Sequence, residues 1–323
     1  MEYNNLGHSG LKISPVGLGS WLTFGNSVNG KPVGDLVHQA LDGGINLIDT
    51  ADVYALGESE LALGEVLQGI RRGSYVLASK CYFPVGPGPN DRGLSRKHIS
   101  ESIEGSLTRL RTDYLDLYQC HRFDPETPLW ETARTMDDLI RQGKILYWGV
   151  SDWTAQQIRD VVSLCVQNGF AAPISNQPPY SMFHRDIETE VLPTCEELGL
   201  GNLVFSPLAQ GVLTGKYLPG QEAPEGSRAK DDKSNRFIGR YMGEAHLQAA
   251  QDLKEIATSI DVPLAAMALA WCLRQAAVDT VLVGVTRPEQ LRENLIAAEL
   301  SLGEETLARI AAILDRLPMV APA

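Results

Sequence analysis

Apolar and polar positions along this chain follow two rhythms. Short runs rich in Val, Ile, Leu and Tyr read as strands, and the stretches between them carry the three-to-four-residue spacing of helices. The strand-like runs are Val16–Leu18, Asn46–Ile48, Tyr75–Ala78, Tyr114–Tyr118, Tyr147–Val150, Pro173–Ser175, Asn202–Phe205 and Thr280–Val283. Helical patterns lie at Val33–Leu41, Ser59–Leu67, Arg96–Leu110, Pro128–Arg141, Trp153–Gln167, Arg185–Leu198, Leu247–Ile260 and Pro288–Ala297, with further ones at Pro263–Arg274 and Glu304–Leu317. Ser95 is placed to cap the third helix, and Thr127–Pro128 predicts a cap followed by proline at the first helical position of the fourth. Strand–helix units spaced by roughly 30 residues predict an α/β protein with a closed (β/α)8 TIM barrel rather than an open sheet. Ahead of the barrel, Tyr3–Leu6 and Lys12–Ser14 around GHSG predict a β-hairpin. Residues 1–323 are expected to form a single barrel domain with extra C-terminal helices. Residues 207–245, rich in Gly, Pro and charge, are expected to be a long surface loop beside whatever the barrel binds.

Composition narrows the function. Hydrophobic residues make up 44% of the chain and charged ones 21%, ordinary proportions for a soluble protein with a sizeable core. With 28 Lys+Arg against 40 Asp+Glu, the net charge of −12 repels phosphate backbones, so nucleic acid is not expected as a partner. The longest apolar run, Pro263 to Leu273, is too short to span a bilayer, and no membrane insertion is expected. MEYNNLGHSG has neither the basic nor the apolar region of a signal peptide. Cys81, Cys120, Cys165, Cys195 and Cys272 form no CxxC pair, which argues against a disulfide scaffold or zinc site and for a reducing, cytoplasmic setting. The histidines make no HxH or HExxH pair, so no metal site is expected and a metal-dependent hydrolase is poorly supported.

In a barrel of this kind, chemistry gathers at the carboxyl ends of the strands. The stretch INLIDTADVY (45–54) ends a strand in Asp49 and brings Tyr54 soon after; alone it reads equally as a helix cap and a core tyrosine. Other strands end in Gly19, Ser20 and Trp21, in Lys80, in Gln119, Cys120 and His121, in Ser151 and Asp152, in Asn176 and Gln177, in Ser206, and in Gly284 and Thr286. A lysine beside a tyrosine stabilises phenolate, a carboxylate keeps that lysine charged, and a histidine can donate a hydrogen bond to a developing oxyanion. Together they suit polarising a carbonyl and protonating the alkoxide, but none is a hydride source, so reduction needs a cofactor.

The chain resembles the aldo-keto reductases, most of all the potassium-channel β-subunit branch and its bacterial relatives. The matching stretches are GLGSWLTFG (17–25), INLIDTADVYALGESE (45–60), ASKC (78–81), DYLDLYQCHRFD (113–124), WGVSDW (148–153), SNQPPYSMFHR (175–185), FSPLAQGVLTGKY (205–217) and GVTRPEQLREN (284–294). They occur in family order over nearly the whole chain. The resemblance implies a catalytic tetrad of Asp49, Tyr54, Lys80 and His121, with Tyr54 the general acid, Lys80 lowering its pKa, Asp49 pairing with Lys80 and His121 orienting the substrate. It implies a substrate pocket including Trp21, Tyr54 and His121. It further implies a dinucleotide held by Gly19, Ser20, Trp21, Asp49, Ser151, Asn176 and Gln177 at the nicotinamide end. Ser206, Leu208, Gly211, Lys216 and Arg228 would follow along the pyrophosphate, and Gly284, Thr286, Gln290, Glu293 and Asn294 at the adenosine. The implied cofactor is NADPH, with NADH possible, and the implied partner a small carbonyl substrate. Channel β-subunits usually carry asparagine where His121 stands, which favours an NADPH-dependent reductase of aldehydes and ketones over the alternative, a regulatory or redox-sensing NADPH-binding subunit. Relatives of this kind also make a homo-oligomer possible.

Overall fold

Which side of each strand faces the barrel axis is decided by two-residue alternation. The computed structural model describes residues 1–25, 27–231 and 235–318. In chain order the elements are β1 (Asn4–Asn5), β2 (Lys12–Ile13), β3 (Val16–Gly19), α1 (Lys31–Asp42), β4 (Leu47–Asp49), α2 (Glu58–Leu67), β5 (Val76–Cys81), α3 (Arg96–Leu110), β6 (Leu115–Cys120) and α4 (Leu129–Arg141). They continue with β7 (Ile145–Val150), α5 (Ala155–Asn168), β8 (Ser175–Asn176), α6 (Val191–Leu198), β9 (Gly201–Val204), α7 (Glu244–Ser259), α8 (Leu264–Leu273), β10 (Val278–Val283), α9 (Pro288–Leu295) and α10 (Glu304–Leu314). Among the described residues β3–β10 close into one parallel barrel, β10 pairing with β3 through Val281↔Val16 and its neighbours.

Inside the barrel, Leu47, Val76, Ala78, Leu117, Leu203 and Leu282 form a packed floor. Gly17 also faces inward; a Cβ there would stand 2.8 Å from Leu282 Cδ2, so the floor leaves no room for a side chain. Leu6 and Ile13 of the β1–β2 hairpin belong to the same cluster and plug the amino end. The intervening residues, among them Ile48, Leu77, Tyr118, Trp148 and Val204, point outward into the core beneath the helices.

Local chemistry moves several expected boundaries. Ser95 caps α3 as expected, its side chain accepting from the His98 N–H. The start of α4 differs: Pro128 is the N-cap, and Thr127 instead donates to Asp124 Oδ2. The helix expected at Arg185–Leu198 begins at Val191, after a short 3₁₀ turn at Asp186–Glu188. The 207–245 segment carries 3₁₀ turns at Ala209–Thr214, Arg228–Lys230 and Asn235–Tyr241, while its residues 232–234 lie outside the described set. Among the described residues no single helix is long and apolar enough to cross a membrane, and the most apolar one, α8, is buried.

Candidate active site

The alternation that fills the floor also sets the mouth. Two steps beyond Leu47 stands Asp49; two and four beyond Val76 stand Ala78 and Lys80. Leu117 leads to Gln119 and His121, and Tyr147 to Gly149 and Ser151. The side chains that alternate with them leave the barrel: Ser79 donates outward to Glu60.

Lys80 is fully buried and uses all three ammonium hydrogens. It donates to Asp49 Oδ2 at 2.6 Å, to the Thr50 carbonyl at 2.7 Å and to the Tyr54 hydroxyl at 3.2 Å. Burial alone would drive the ammonium towards its neutral form. The Asp49 carboxylate and the Tyr54 oxygen outweigh that, and Lys80 is held above its usual pKa. Asp49 is equally committed: Oδ1 accepts from Gln177 Nε2 at 2.9 Å and from Gln119 Nε2 at 3.4 Å. A buried pair satisfied on every side in this way avoids the penalty of an isolated buried charge.

Tyr54 reaches this lysine from a tight turn. Ala55 and Leu56 have φ of 49° and 55°, and Gly57 follows at 94°. Two successive non-glycine residues in the left-handed region are costly, and the surrounding contacts must hold them. The Tyr54 pKa is raised by burial and by Asp49, against the pull of Lys80. The lowering expected from Lys80 is therefore present but outweighed, and the phenol keeps its proton. The His121 ring stands edge-on to Tyr54 with centroids 5.6 Å apart. Burial, then Lys80 and Arg122, push its pKa well below the usual value, so it is neutral, and its Nδ1 is buried without a protein partner. Trp21 lies 6.5 Å from the Tyr54 ring and 5.5 Å from Phe237, walling one side. Phe83 walls the other, 4.8 Å from His121.

The remaining expected residues spread along the rim. Ser151 donates to the Gln177 carbonyl at 2.9 Å, and Ser20 to Thr50 Oγ1 at 2.9 Å. Gly19 precedes Ser20 on β3, and Gly284 packs against the Trp21–Thr23 turn. Asn176 is the exception among the residues expected beside a nicotinamide. It occupies the outward step of β8 between Ser175 and Gln177, and its amide lies beside the Cys195 thiol of α6 rather than in the mouth. Further along, Gln210 bridges Ser206 at 2.6 Å and Arg228 at 2.6 Å. Gly211, at φ 96°, follows the left-handed Ala209 and Gln210; a Cβ there would meet Lys216 Nζ at 3.6 Å. Leu208 anchors this turn through its carbonyl, which accepts from the Gly211 and Leu213 N–H groups. Lys216 is depressed by burial and by the charges of Arg228 and Arg287. Three cations thus crowd together on an acidic protein, an arrangement that phosphate oxygens would relieve. Gln290 closes the last turn, accepting from the Thr286 N–H and hydroxyl and from the Arg287 N–H. Asn294 is buried on α9 and Glu293 exposed beside it.

Several neighbours were not among the expected site residues. Gln119 and the Thr50 carbonyl complete the Asp49–Lys80 cluster, and Arg122 donates to the His121 carbonyl at 2.6 Å. Gln119 is singled out by the sequence only as a polar residue at a strand end, and the inward period of β6 gives it its place in the mouth. Among the described residues no group of three or more His, Cys, Asp or Glu side chains converges as a metal site would require.

A barrel whose mouth brings together Asp49, Lys80, Tyr54 and His121 has a recognisable lineage, and the chain belongs to the aldo/keto reductase family, whose profile matches residues 15–315. Within that family it is similar to a probable voltage-gated potassium channel subunit beta of Oryza sativa subsp. japonica, 41% identical over 323 residues and covering 98% of each chain. It is also 42% identical, over 302 residues, to a probable voltage-gated potassium channel subunit beta of Arabidopsis thaliana, covering 93% of this chain and 92% of the relative.

Proposed function

We propose that this chain is an NADPH-dependent reductase of small aldehydes and ketones, working as one barrel unit over residues 1–323. The observation that carries the reading is the triangle at Lys80, whose ammonium is fixed by Asp49 and donates to the Tyr54 oxygen. Because the phenolic oxygen accepts from Lys80, its own hydrogen is directed away from the lysine and towards the open mouth. Tyr54 is thereby a protonated acid with an ammonium behind it, able to stabilise the phenolate it becomes after giving up its proton. Neutral His121 offers a hydrogen bond to the same carbonyl oxygen, orienting it and sharing its developing charge. Asp49 does not meet the substrate; it keeps Lys80 charged.

The donor set fits a dinucleotide. Gln177 and Ser151 would hold the nicotinamide end, and Lys216, close enough to Arg228 and Arg287 to be depressed by their charges, would join them on the phosphates. When bound, the reduced nicotinamide supplies the hydride to the carbonyl carbon. The third cation, Arg287, favours NADPH over NADH, since the former brings one more phosphate.

Tyr54→Phe should abolish carbonyl reduction, by 10³-fold or more on the order of what loss of a general acid and its charge support costs, while NADPH still quenches tryptophan fluorescence at near wild-type affinity. Turnover retained in that variant would sink the reading. The plant relatives are named for channel subunits, and a regulatory NADPH-binding role is the second reading. Sustained multiple turnover with simple aldehydes separates the two.

A further inference from the structure

One cation at the mouth has so far acted only through its neighbour His121 and has been given no contact with the substrate. Arg122 follows His121 at the end of β6, and its guanidinium looks across the pocket wall rather than into the cofactor's phosphate cluster. It stands 5.5 Å from the Phe83 ring centroid, Phe83 stands 4.8 Å from His121, and His121 stands 5.6 Å from Tyr54. A row of three rings thus runs from the proposed proton donor to a guanidinium. Nη1 is spent on the His121 carbonyl at 2.6 Å, with Ser151 Oγ at 3.5 Å. The partner of Nε is Asp152 Oδ2 at 3.4 Å, and both side chains are about one-third exposed, at 29% and 34%. Pairs so wet and so loosely set hold weakly. Nη2 donates no hydrogen bond among the described residues, and the charge is close enough to act on both Tyr54 and His121.

We propose that Arg122 is an anion-binding subsite of the carbonyl pocket, so that the preferred substrates are aldehydes carrying a carboxylate a few bonds, or one aromatic ring, away from the carbonyl. This rests on the reductase reading for the reaction, but not for the binding. A carboxylate approaching along Phe83 replaces Asp152 as partner of Nε and engages the free Nη2, the two-pronged geometry that guanidinium suits best. Phe83 supplies an apolar face for the carbon skeleton between the two ends. Asp152 acts as a placeholder: it keeps the guanidinium oriented and yields to a better-seated anion. A neutral aldehyde of the same shape leaves the ion pair as it is and gains nothing from it.

The test compares 4-carboxybenzaldehyde with methyl 4-formylbenzoate, two para-substituted benzaldehydes differing chiefly in charge. The wild-type protein should favour the acid in kcat/KM by about 10–100-fold, the range of a charge-assisted hydrogen bond. Arg122→Gln should bring that ratio close to one, mainly by raising KM for the acid, with Arg122→Lys intermediate. Asp152→Asn should raise the ratio above wild type, because the competing carboxylate is gone. A ratio unmoved by Arg122→Gln, or a wild-type preference for the ester, overturns the proposal. Calorimetric binding of benzoate against benzyl alcohol to the NADP+-loaded chain asks the same question without turnover. Arg122-dependent benzoate binding in a protein that reduces neither aldehyde would refute the reductase reading and leave the anion subsite standing. Benzoate binding that ignores Arg122 would refute the subsite alone.

Discussion

Asp52 stands two places before Tyr54, yet its side chain leaves the mouth for a separate cavity of about 330 Å³ lined also by Val53, His98, Ser102 and Arg109. Ser102 donates to Oδ2 at 3.1 Å, while Oδ1 is buried without a protein partner. Burial and the neighbouring charge of Glu60 push the carboxyl up to about 7, against an ordinary value of 3.8. The native state therefore holds this proton more tightly than the unfolded chain, and stability falls as pH rises from about 4 to about 7, then levels off. Asp52→Asn removes that titration. Urea unfolding from pH 4 to pH 8 should show the variant gaining on wild type by a few kcal/mol at most as pH rises; parallel curves would contradict the assignment. At this scale the sequence made the tetrad legible because its members sit in short, specific motifs. It hid the partners that only folding supplies. Arg109 reads as an exposed helix residue, yet its Nε donates to buried Glu60 at 2.7 Å, 49 positions away. A hint was available: Glu60 shares the i, i+3, i+4, i+7 stripe of Leu63, Gly64 and Leu67 that faces the core.

Between elements, α2 and α3 approach each other closely. A Cβ on Gly64 would lie 2.2 Å from the Arg109 carbonyl oxygen, so the two helices touch backbone to backbone. Gly64→Ala should cost about 1–3 kcal/mol or more by forcing them apart, read as a fall in the midpoint of urea unfolding. Gly34→Ala in α1, where the new Cβ meets Val66 Cγ2 at an ordinary 3.6 Å, should instead be neutral or stabilising by about 0.5–1 kcal/mol. Equal losses in both would mean that the close approach carries no energy. Existence and order of the strands and helices were readable from periodicity, since each rhythm is a property of its own segment. Boundaries were less so, because Thr127 and the residues before Val191 answer to partners outside their own helix. Strand β8 was placed early by the Pro173–Ser175 pattern; the pairs Val150↔Asn176 and Asn176↔Asn202 with its neighbours carry it to Asn176.

Across the whole molecule, charge and closure are set by different rules. A chain of net charge −12 gathers Lys216, Arg228 and Arg287 in one place, a concentration that overall composition conceals. The hairpin could be read from GHSG, but not its task as floor plug, which depends on Leu6 and Ile13 meeting side chains from five barrel strands. The five thiols show the same global logic. Cys81 and Cys120 lie on β5 and β6, Cys165, Cys195 and Cys272 on α5, α6 and α8, and all are buried and free. Burial pushes every one of them up, to about 12 at Cys165 and Cys195. An electrophile thus meets no reactive sulfur on the folded protein, and alkylation must wait for the barrel to open. Under iodoacetamide, intact-mass spectra should pass from unmodified protein to the fivefold adduct with few species between; a ladder of single additions would point to local openings instead. The cysteines then serve as a built-in clock, counting the time each molecule spends unfolded.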